Sequence, residues 1–150
     1  MVKRRWEIPQ GLRVFPDGTW RVGDLHVIHP PSLRHFRSHL VHEESGDYIV
    51  DGGQRMPVEV GGPAFHAVSL VLDAEAQQVR VALDDGSVEA VEDRALGMNR
   101  ETGRFECRVR GGHFTALLVR GPHQTLMEHL EEEGGSFFLR VGRRRIAVRT

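Results

Sequence analysis

The sequence predicts a compact α+β protein made of two halves that share a repeated unit, and three observations support this fold class. Short apolar runs alternate with polar residues and are bounded by Gly, Pro and Asp, which is typical of strands and tight turns. Helical spacing is confined to two segments, each opened by a proline. The elements around the first helix recur in the same order around the second.

The first strands form a predicted hairpin. Residues 12–15 and 20–22 are apolar at alternate positions and are joined by Pro16-Asp17-Gly18-Thr19. In this turn Pro presets one φ angle and Gly accepts a positive φ. Residues 25–28 predict a third short strand before the first helix.

The first helix is predicted to begin at Pro30-Pro31-Ser32, because Pro is tolerated where no backbone donor is needed. A stripe at three- and four-residue spacing follows, made of Leu33, Phe36, Leu40 and Glu44. The helix is therefore predicted to run to Glu43-Glu44-Ser45-Gly46, where Gly46 suits a left-handed cap. Strands at residues 48–50 and 56–60 are joined across Gly52-Gly53.

The middle of the sequence is rich in predicted strands. Residues 65–73 are a long apolar run, and residues 79–83 alternate with period two. Asp84-Asp85-Gly86-Ser87 is typical of a hairpin turn back into residues 88–91. Residues 105–110 alternate again, after an irregular stretch.

Residues 27–60 and 117–149 resemble each other. Gly121-Pro122 opens the second helix, and Leu126 and Leu130 stand 90 residues after Phe36 and Leu40. An acidic turn, an aromatic strand, a Gly turn and a last strand follow in both copies. The sequence therefore predicts a repeated β-α-β-β unit, with convergence of short common patterns as the alternative. We place an N-terminal α+β subdomain at residues 1–62, and the β-rich middle with the second unit at residues 63–150.

Several motifs in a fixed order carry a resemblance to a known family. They are Asp17-Gly18-Thr19-Trp20, Gly23, the helix with Phe36 and Leu40, Gly46-Asp47-Tyr48-Ile49-Val50, Val58-Glu59-Val60, Pro63-Ala64-Phe65 and Val109-Arg110-Gly111-Gly112. In this order they resemble a bacterial family of uncharacterised proteins, domain of unknown function family 1285, from about residue 11 to 148. The resemblance implies antiparallel sheets in two small α+β subdomains and a suspected role in signalling or ligand binding, with no established catalytic residues. Asp51 to Met56 departs from the family, whose members carry a Thr-Pro segment there.

Composition and charge exclude several classes of protein. Of the 150 residues, 39% are hydrophobic, and a single Cys cannot form an internal disulfide. No run approaches the roughly 20 apolar residues that span a bilayer. The basic start is not followed by an apolar stretch, so we expect a soluble, cytoplasmic protein with no secretory signal and no membrane partner.

Charge is segregated along the chain, although the formal net charge is only −1. Residues 1–40 and 104–150 carry more Lys and Arg than acids, and residues 41–103 carry more acids. Such a field could steer a charged partner, or folding could scatter these charges over the surface. The basic runs Arg143-Arg144-Arg145 and Lys3-Arg4-Arg5 could contact nucleic-acid phosphates, but the sequence pI of about 6.8 disfavours nucleic acid as a partner.

His35, His39 and His42 form the sharpest metal-like pattern. Spacings of four and three residues place them on one face of the predicted helix, and neutral imidazoles suit zinc or nickel. That face lies opposite the apolar stripe, and there is no Glu between His35 and His39 as in a hydrolytic zinc helix. We therefore predict a solvated face and no resident metal or other cofactor, with these three histidines as weak metal candidates.

Arg110-Gly111-Gly112-His113 and Arg120 are the predicted ligand-binding residues. Paired glycines let backbone N–H groups approach an anion, and Arg binds a carboxylate or phosphate through two hydrogen bonds. Arg120 stands at a helix start, where the helix dipole favours anions. A plain turn that needs Gly for positive φ is the alternative.

Cys107 shares one face of its predicted strand with Phe105 and Val109, which indicates a buried core thiol and not a nucleophile. The sequence contains no nucleophile elbow, P-loop or dinucleotide-binding motif. An enzyme is therefore the less favoured class, and we assign no catalytic residue.

The leading hypothesis is a non-enzymatic ligand-binding or signalling accessory protein. Its site would lie between the two halves, because pockets favour such junctions, and would take a small anionic ligand or a protein partner. Trp20, Tyr48 and Phe65 either line that cleft or belong to the core. The alternative is a metal-dependent hydrolase that uses the histidines. The sequence indicates no oligomeric state.

Overall fold

The computed structural model describes residues 8–150, so the basic run Lys3-Arg4-Arg5 and Trp6 lie outside the described residues. Contacts within the chain divide it into two units, which we call unit 1 (residues up to Ala64) and unit 2 (Phe65–Thr150). Within residues 8–150, the helices are too short or too polar to cross a membrane.

The described part of unit 1, residues 8–64, contains one six-stranded sheet and one helix. Its elements are β1 (Leu12–Val14), β2 (Trp20–Val22), β3 (Leu25–His26), α1 (Pro30–Ser38), β4 (Leu40–Glu43), β5 (Gly46–Asp51) and β6 (Gln54–Val60). The strand order is β3-β2-β1-β6-β5-β4. The predicted hairpin of β1 and β2 is confirmed, with Leu12 opposite Val22 and Val14 opposite Trp20.

The turn between β1 and β2 directs Trp20 into the core of unit 1. Gly18 has a φ of 83°, and the Asp17 carboxylate accepts the Thr19 N–H at 2.9 Å. The Trp20 side chain is buried, and its ring stacks on that of Phe36 with centroids 6.2 Å apart. The residues of this turn thus set the register in which Trp20 lies opposite Val14 and is buried.

The first helix is shorter than predicted. α1 ends at Ser38, and the next residues form β4 instead of further helical turns. β4 pairs with β5 from Leu40 opposite Ile49 to Glu43 opposite Gly46, so residues 44–45 form a two-residue hairpin turn. Leu40 is buried in the observed strand, as it would be in the predicted helix, because either element can direct this side chain toward the core.

Unit 2 contains a six-stranded sheet, a three-stranded sheet and one helix. Its elements are β7 (Phe65–Asp73), β8 (Gln78–Leu83), β9 (Val88–Ala90), β10 (Leu96–Met98), β11 (Phe105–Val109), β12 (Phe114–Leu118), α2 (Arg120–His129), β13 (Leu130–Glu133), β14 (Ser136–Val141) and β15 (Arg144–Val148). The larger sheet has the order β10-β11-β12-β7-β8-β9, and the smaller has β13-β14-β15. β10 lies in the stretch predicted to be irregular.

The prediction of purely antiparallel sheets is wrong, because each six-stranded sheet contains one parallel pair. β1 runs parallel to β6 in unit 1, and β12 runs parallel to β7 in unit 2. Parallel neighbours need a long connection, and here several elements lie between the paired strands. Local alternation cannot indicate such pairings. The α+β class is confirmed: the described residues form mixed sheets with the two helices α1 and α2.

The order of elements supports the predicted repeat and extends it. α2, β13, β14 and β15 each begin 90 residues after α1, β4, β5 and β6. Leu130 lies opposite Leu139 as Leu40 lies opposite Ile49. Upstream, β10 to β12 precede α2 as β1 to β3 precede α1, and a parallel bridge from Gly97 to Arg149 corresponds to the parallel pairing of β1 with β6. The predicted unit already had the strand before the helix, so the shared order adds β1, β2 and β4 in unit 1 and β10, β11 and β13 in unit 2.

Candidate functional site

The predicted Arg-Gly-Gly segment forms the tight turn between β11 and β12. Arg110, Gly111 and Gly112 have φ angles of 56°, 71° and 84°, three consecutive left-handed residues. The Gly112 N–H donates to the Val109 carbonyl at 3.1 Å. Glycine tolerates this backbone conformation without strain, so the two glycines are explained by the turn itself. The space beside Gly112 is open, whereas the ring of His113 lies next to Gly111.

The guanidinium of Arg110 is turned toward the β8–β9 hairpin. It forms an ion pair with Asp85, whose side chain is only 3% exposed, and it donates to Ser87 Oγ at 3.1 Å. Its Nε lies 3.8 Å from Glu89 Oε2, and its Cζ lies 5.0 Å from the ring centre of Phe65. Arg110 therefore joins two turns of unit 2, and its charge is neutralised within that unit.

Asp85 is the buried acid of this ion pair. Burial alone raises the pKa of its carboxyl, but hydrogen bonds from Ser87 and the charge of Arg110 outweigh burial and hold that pKa below its usual value. The Ser87 N–H donates to Asp85 Oδ1 at 3.0 Å, which closes the predicted hairpin turn. The carboxylate is thus kept ionised by contacts from both turns.

Gly111 and Gly112 line a cavity of about 290 Å³ in unit 2. Three arginines share its wall, and they are Arg94, Arg108 and Arg149. Three acids line it as well, and they are Glu89, Glu92 and Asp93. The cavity therefore carries both signs of charge around a glycine turn.

Arg149 is the most enclosed of these arginines. Its Nε–H donates to the Arg94 carbonyl at 2.5 Å, and its Nη2 donates to the Ala95 carbonyl at 3.1 Å. Burial lowers the pKa of Arg149, and the neighbouring positive charge of Arg108 lowers it further, although Glu106 partly opposes this. The two guanidinium groups are therefore close enough to repel each other.

Two of the three acids already have partners. Glu89 accepts the backbone N–H of Arg110 at 3.0 Å in addition to facing its guanidinium. Asp93 accepts the N–H of Ala147 at 3.1 Å. Glu92 is exposed. Glu89 is therefore shared with Arg110, while the positive charge of Arg108 still lowers the pKa of Arg149 in the presence of these acids.

Three of the five predicted ligand-binding residues do not line this cavity. The guanidinium of Arg110 is turned toward the β8–β9 hairpin. Arg120 is the first residue of α2 and is exposed, and His113 is exposed in the turn after the glycines. The structure therefore brings together Gly111 and Gly112 from the predicted set. It adds Arg94, Arg108 and Arg149, which only the pairing of β10 with β11 and the bridge to β15 place side by side.

The three predicted histidines do not share one helical face. His35 is on α1, His39 caps its end, and His42 is on β4, where its Nδ1 donates to Asp47 Oδ1 at 2.8 Å. His35 is also not a solvated residue, because its side chain is only 13% exposed. The early end of α1 separates His42 from the other two.

Asp51, at the end of β5, joins His35 and His39. Its Oδ2 lies 2.9 Å from His35 Nε2, and its Oδ1 lies 3.8 Å from His39 Nε2. The two imidazole rings are 4.3 Å apart between centroids. Asp51 is not among the residues predicted from the sequence, because residues 40–43 are predicted to be helical. They form β4 instead, and the pairing of β4 with β5 is the signal that would have indicated Asp51.

The basic turn Arg143-Arg144-Arg145 contacts its own unit. The Arg143 N–H donates to Gln77 Oε1 at 3.2 Å, and Arg144 Nη1 donates to the Gln77 carbonyl at 3.5 Å. Arg145 pairs with Glu133 at 2.7 Å. This turn is therefore partly occupied by contacts between neighbouring hairpins.

Cys107 is buried on β11, as its alternation predicts. Burial and, secondarily, the charge of Glu89 raise the pKa of its thiol to about 12, with Arg149 acting in the opposite direction. We expect the native protein to react with Ellman's reagent at pH 8 at least about 100-fold more slowly than the denatured chain, because only the thiolate is nucleophilic. In 6 M guanidinium one thiol per chain should react rapidly, and rapid labelling of the native protein would contradict the burial of Cys107.

The described residues form a mostly β protein of the α+β class with two units. Two solved structures share this fold. The chain is similar to a DUF1285 family protein from Silicibacter pomeroyi DSS-3, with a TM-score of 0.71 and 24% identity over 95% of this chain and 83% of that chain. It is also similar to a DUF1285 family protein from Shewanella baltica OS155, with a TM-score of 0.60 and 12% identity over 79% of this chain and 91% of that chain.

No family model and no curated protein matches the sequence. The resemblance to domain of unknown function family 1285 is thus confirmed by the fold that the chain shares with these two proteins.

Proposed function

We propose that this chain is a non-enzymatic ligand-binding accessory protein whose unit 2 binds a small anion, a carboxylate or a phosphate, in the cavity lined by Arg108 and Arg149. One observation carries the proposal: the like charges of Arg108 and Arg149 act on each other in the lining of a cavity that also contains the glycine turn, Gly111-Gly112. The proposed site belongs to unit 2 alone, and a signalling role would follow from binding there.

Anion binding would be favourable because it would relieve the repulsion between the guanidinium groups of Arg108 and Arg149. An anion between Arg108 and Arg149 would replace an unfavourable contact of like charges by charge-assisted hydrogen bonds, each contributing about 1.5–3 kcal/mol. Arg149 is already held by two backbone carbonyls, so little side-chain entropy is lost when a ligand binds. The glycine turn allows an anion to approach the backbone closely.

Size and charge restrict the ligand. A volume of about 290 Å³ is at the small end of the roughly 300–1,000 Å³ that is usual for ligand pockets. Glu92 and the other acids weaken the positive field of the cavity. We therefore expect a small carboxylate or phosphate, bound with a dissociation constant on the order of 1 mM or somewhat below.

Ligand-induced stabilisation tests this proposal with inorganic phosphate and succinate as probes. At constant ionic strength, either probe at ten times its dissociation constant should stabilise the protein by about 1.4 kcal/mol, read as a rise in melting temperature. Arg149→Gln and Arg108→Gln should each weaken binding about tenfold. Gly97→Ala should weaken it too, because a Cβ there would lie 2.9 Å from Cζ of Arg149 and displace the guanidinium while keeping its charge.

Arg104→Gln is the matched control, since Arg104 is an exposed arginine of unit 2 outside the lining of the cavity. It should leave the stabilisation unchanged. Absence of stabilisation by both probes, or equal stabilisation of the wild type and the two arginine variants, would refute the site and leave a protein partner as the next hypothesis.

A further inference from the structure

We infer that His35, His39 and Asp51 form a binding site for a divalent transition metal of the zinc class, with the remaining coordination position left to water. The site belongs to unit 1 and is independent of the proposed anion cavity in unit 2. Its ligands are His35 on α1, the C-cap residue His39 four positions later, and one carboxylate from the end of β5.

The separations of the ligand atoms suit such an ion. One nitrogen from each histidine and one oxygen of Asp51 all lie within 4.8 Å of one another. The two nitrogen–oxygen distances are 2.9 and 3.8 Å. Ligands at about 2.0–2.1 Å from a tetrahedral zinc ion are about 3.3 Å apart, so small side-chain movements bring all three into coordination.

The hydrogen bond of His39 prepares its other nitrogen for a metal. Nδ1 of His39 lies 2.8 Å from the carbonyl oxygen of His35. A carbonyl can only accept, so Nδ1 carries the proton, and in the neutral ring Nε2 carries the lone pair. This is the arrangement in which metal-ligating histidines are commonly held, with the second ring nitrogen donating to a backbone oxygen.

The second copy of the repeat shows which part of this cluster is structural. His129 stands 90 residues after His39, and its Nδ1 lies 2.9 Å from the Thr125 carbonyl. The helix-end hydrogen bond is therefore common to both copies. The positions that correspond to His35 and Asp51 carry Thr125 and Val141, so the second imidazole and the carboxylate are present in unit 1 alone. Capping the helix accounts for one histidine and not for the cluster of three ligands.

Burial and donor chemistry restrict the ion. The side chains of His35, Asp51 and His39 are 13%, 31% and 34% exposed, which shields a bound ion partly and leaves it a path from solvent. Two imidazoles and a carboxylate suit zinc, cobalt or nickel, whereas magnesium and calcium prefer sets of oxygen ligands. The competing interpretation is a His35–Asp51 contact that only joins α1 to β5.

Metal titration of the full chain, stripped with chelator, separates these interpretations. Calorimetry with zinc chloride should give one site per chain with a dissociation constant on the order of 1 µM or tighter. Asp51→Asn and His39→Ala should each weaken binding about 100-fold. Cobalt(II) should give visible absorption bands of the intensity typical of four-coordinate sites, and magnesium should not compete.

His129→Ala is the matched control, because it removes a helix-end histidine with the same backbone hydrogen bond that belongs to no cluster of metal ligands within residues 8–150. It should retain zinc binding, and so should Arg149→Gln in unit 2. If Asp51→Asn fails to fold by circular dichroism, His39→Ala decides the question, since its side chain is one-third exposed. Absence of one-to-one binding at 100 µM zinc, or unchanged affinity in His39→Ala, would overturn the inference.

Discussion

Replacing Trp20 with Ala is expected to lower the free energy of unfolding of unit 1 by about 4 kcal/mol. The indole is 1% exposed and stacks on Phe36, so its removal leaves a large cavity. Its Nε1–H donates to the Ala64 carbonyl at 3.1 Å, and that oxygen also accepts the Nε–H of Arg37 at 2.9 Å. Because whole domains are stable by only about 5–15 kcal/mol, this loss should bring unit 1 close to unfolding at physiological temperature.

Hydrogen–deuterium exchange measured peptide by peptide can locate the loss of stability in unit 1. Peptides from residues 8–64 should lose most of their protection in Trp20→Ala. Trp20→Phe keeps much of the ring volume and loses the N–H donor, so we expect a smaller loss, about 1–2 kcal/mol. Met127→Ala is a control at an exposed apolar residue and should change stability by less than about 0.5 kcal/mol. Protection of Trp20→Ala within 1 kcal/mol of wild type would show that the indole does not support the core.

Local chemistry made several elements of the fold predictable. The turn from Pro16 to Thr19 is specified by its own residues, because Pro16 fixes one φ angle and Gly18 adopts a positive φ. The β1–β2 hairpin could therefore be predicted from the sequence. Likewise, the Gly52-Gly53 turn and the 90-residue offset between Phe36 and Leu126 mark positions that the structure places equivalently in α1 and α2. These features depend on residues close together in the chain.

The end of α1 was not predictable from its apolar stripe alone. Leu33, Phe36 and Leu40 have helical spacing, but Leu40 and Val41 also suit a strand, and pairing with β5 decides between the two. That pairing is a tertiary contact. The parallel pairs β1–β6 and β7–β12 were missed for the same reason, since their partners are separated by many residues.

The candidate sites likewise combine features set by neighbouring residues with contacts between residues far apart in the chain. The glycine turn at Gly111-Gly112 was predicted, but Arg110 is neutralised by Asp85, which is 25 positions earlier in the chain. Arg108 and Arg149 meet at one cavity because β10 lies between β11 and the segment after β15. The sequence therefore predicted the glycine turn beside the cavity, but it did not predict that Arg108 and Arg149 line the cavity.

Replacing Asp85 with Asn is expected to lower the free energy of unfolding of unit 2 by about 2–3 kcal/mol at pH 7. The carboxylate is 3% exposed, and its loss leaves the guanidinium of Arg110 with Glu89 at 3.8 Å as its remaining ion pair, beside its hydrogen bond to Ser87 Oγ. The hydrogen bond from the Ser87 N–H is retained by the amide oxygen, so the loss reports on the ion pair and not on the turn. Asp24→Asn, at an exposed turn of unit 1, is the control and should be close to neutral.

The pH dependence of this loss distinguishes an ion pair from a packing defect. Ser87 and Arg110 hold the folded-state pKa of Asp85 below the ordinary value of 3.8 despite its burial. The ionised carboxylate therefore stabilises the fold above pH 3.8, and this contribution declines as the pH falls through the lower folded-state pKa. Urea unfolding of the wild type and Asp85→Asn, followed by exchange of unit 2 peptides from pH 7 to pH 3, should show the difference shrinking below about pH 4. A difference that stays constant over this range would mean that the substitution acts through packing, and that Arg110 is held in place by Glu89 and the ring of Phe65 instead.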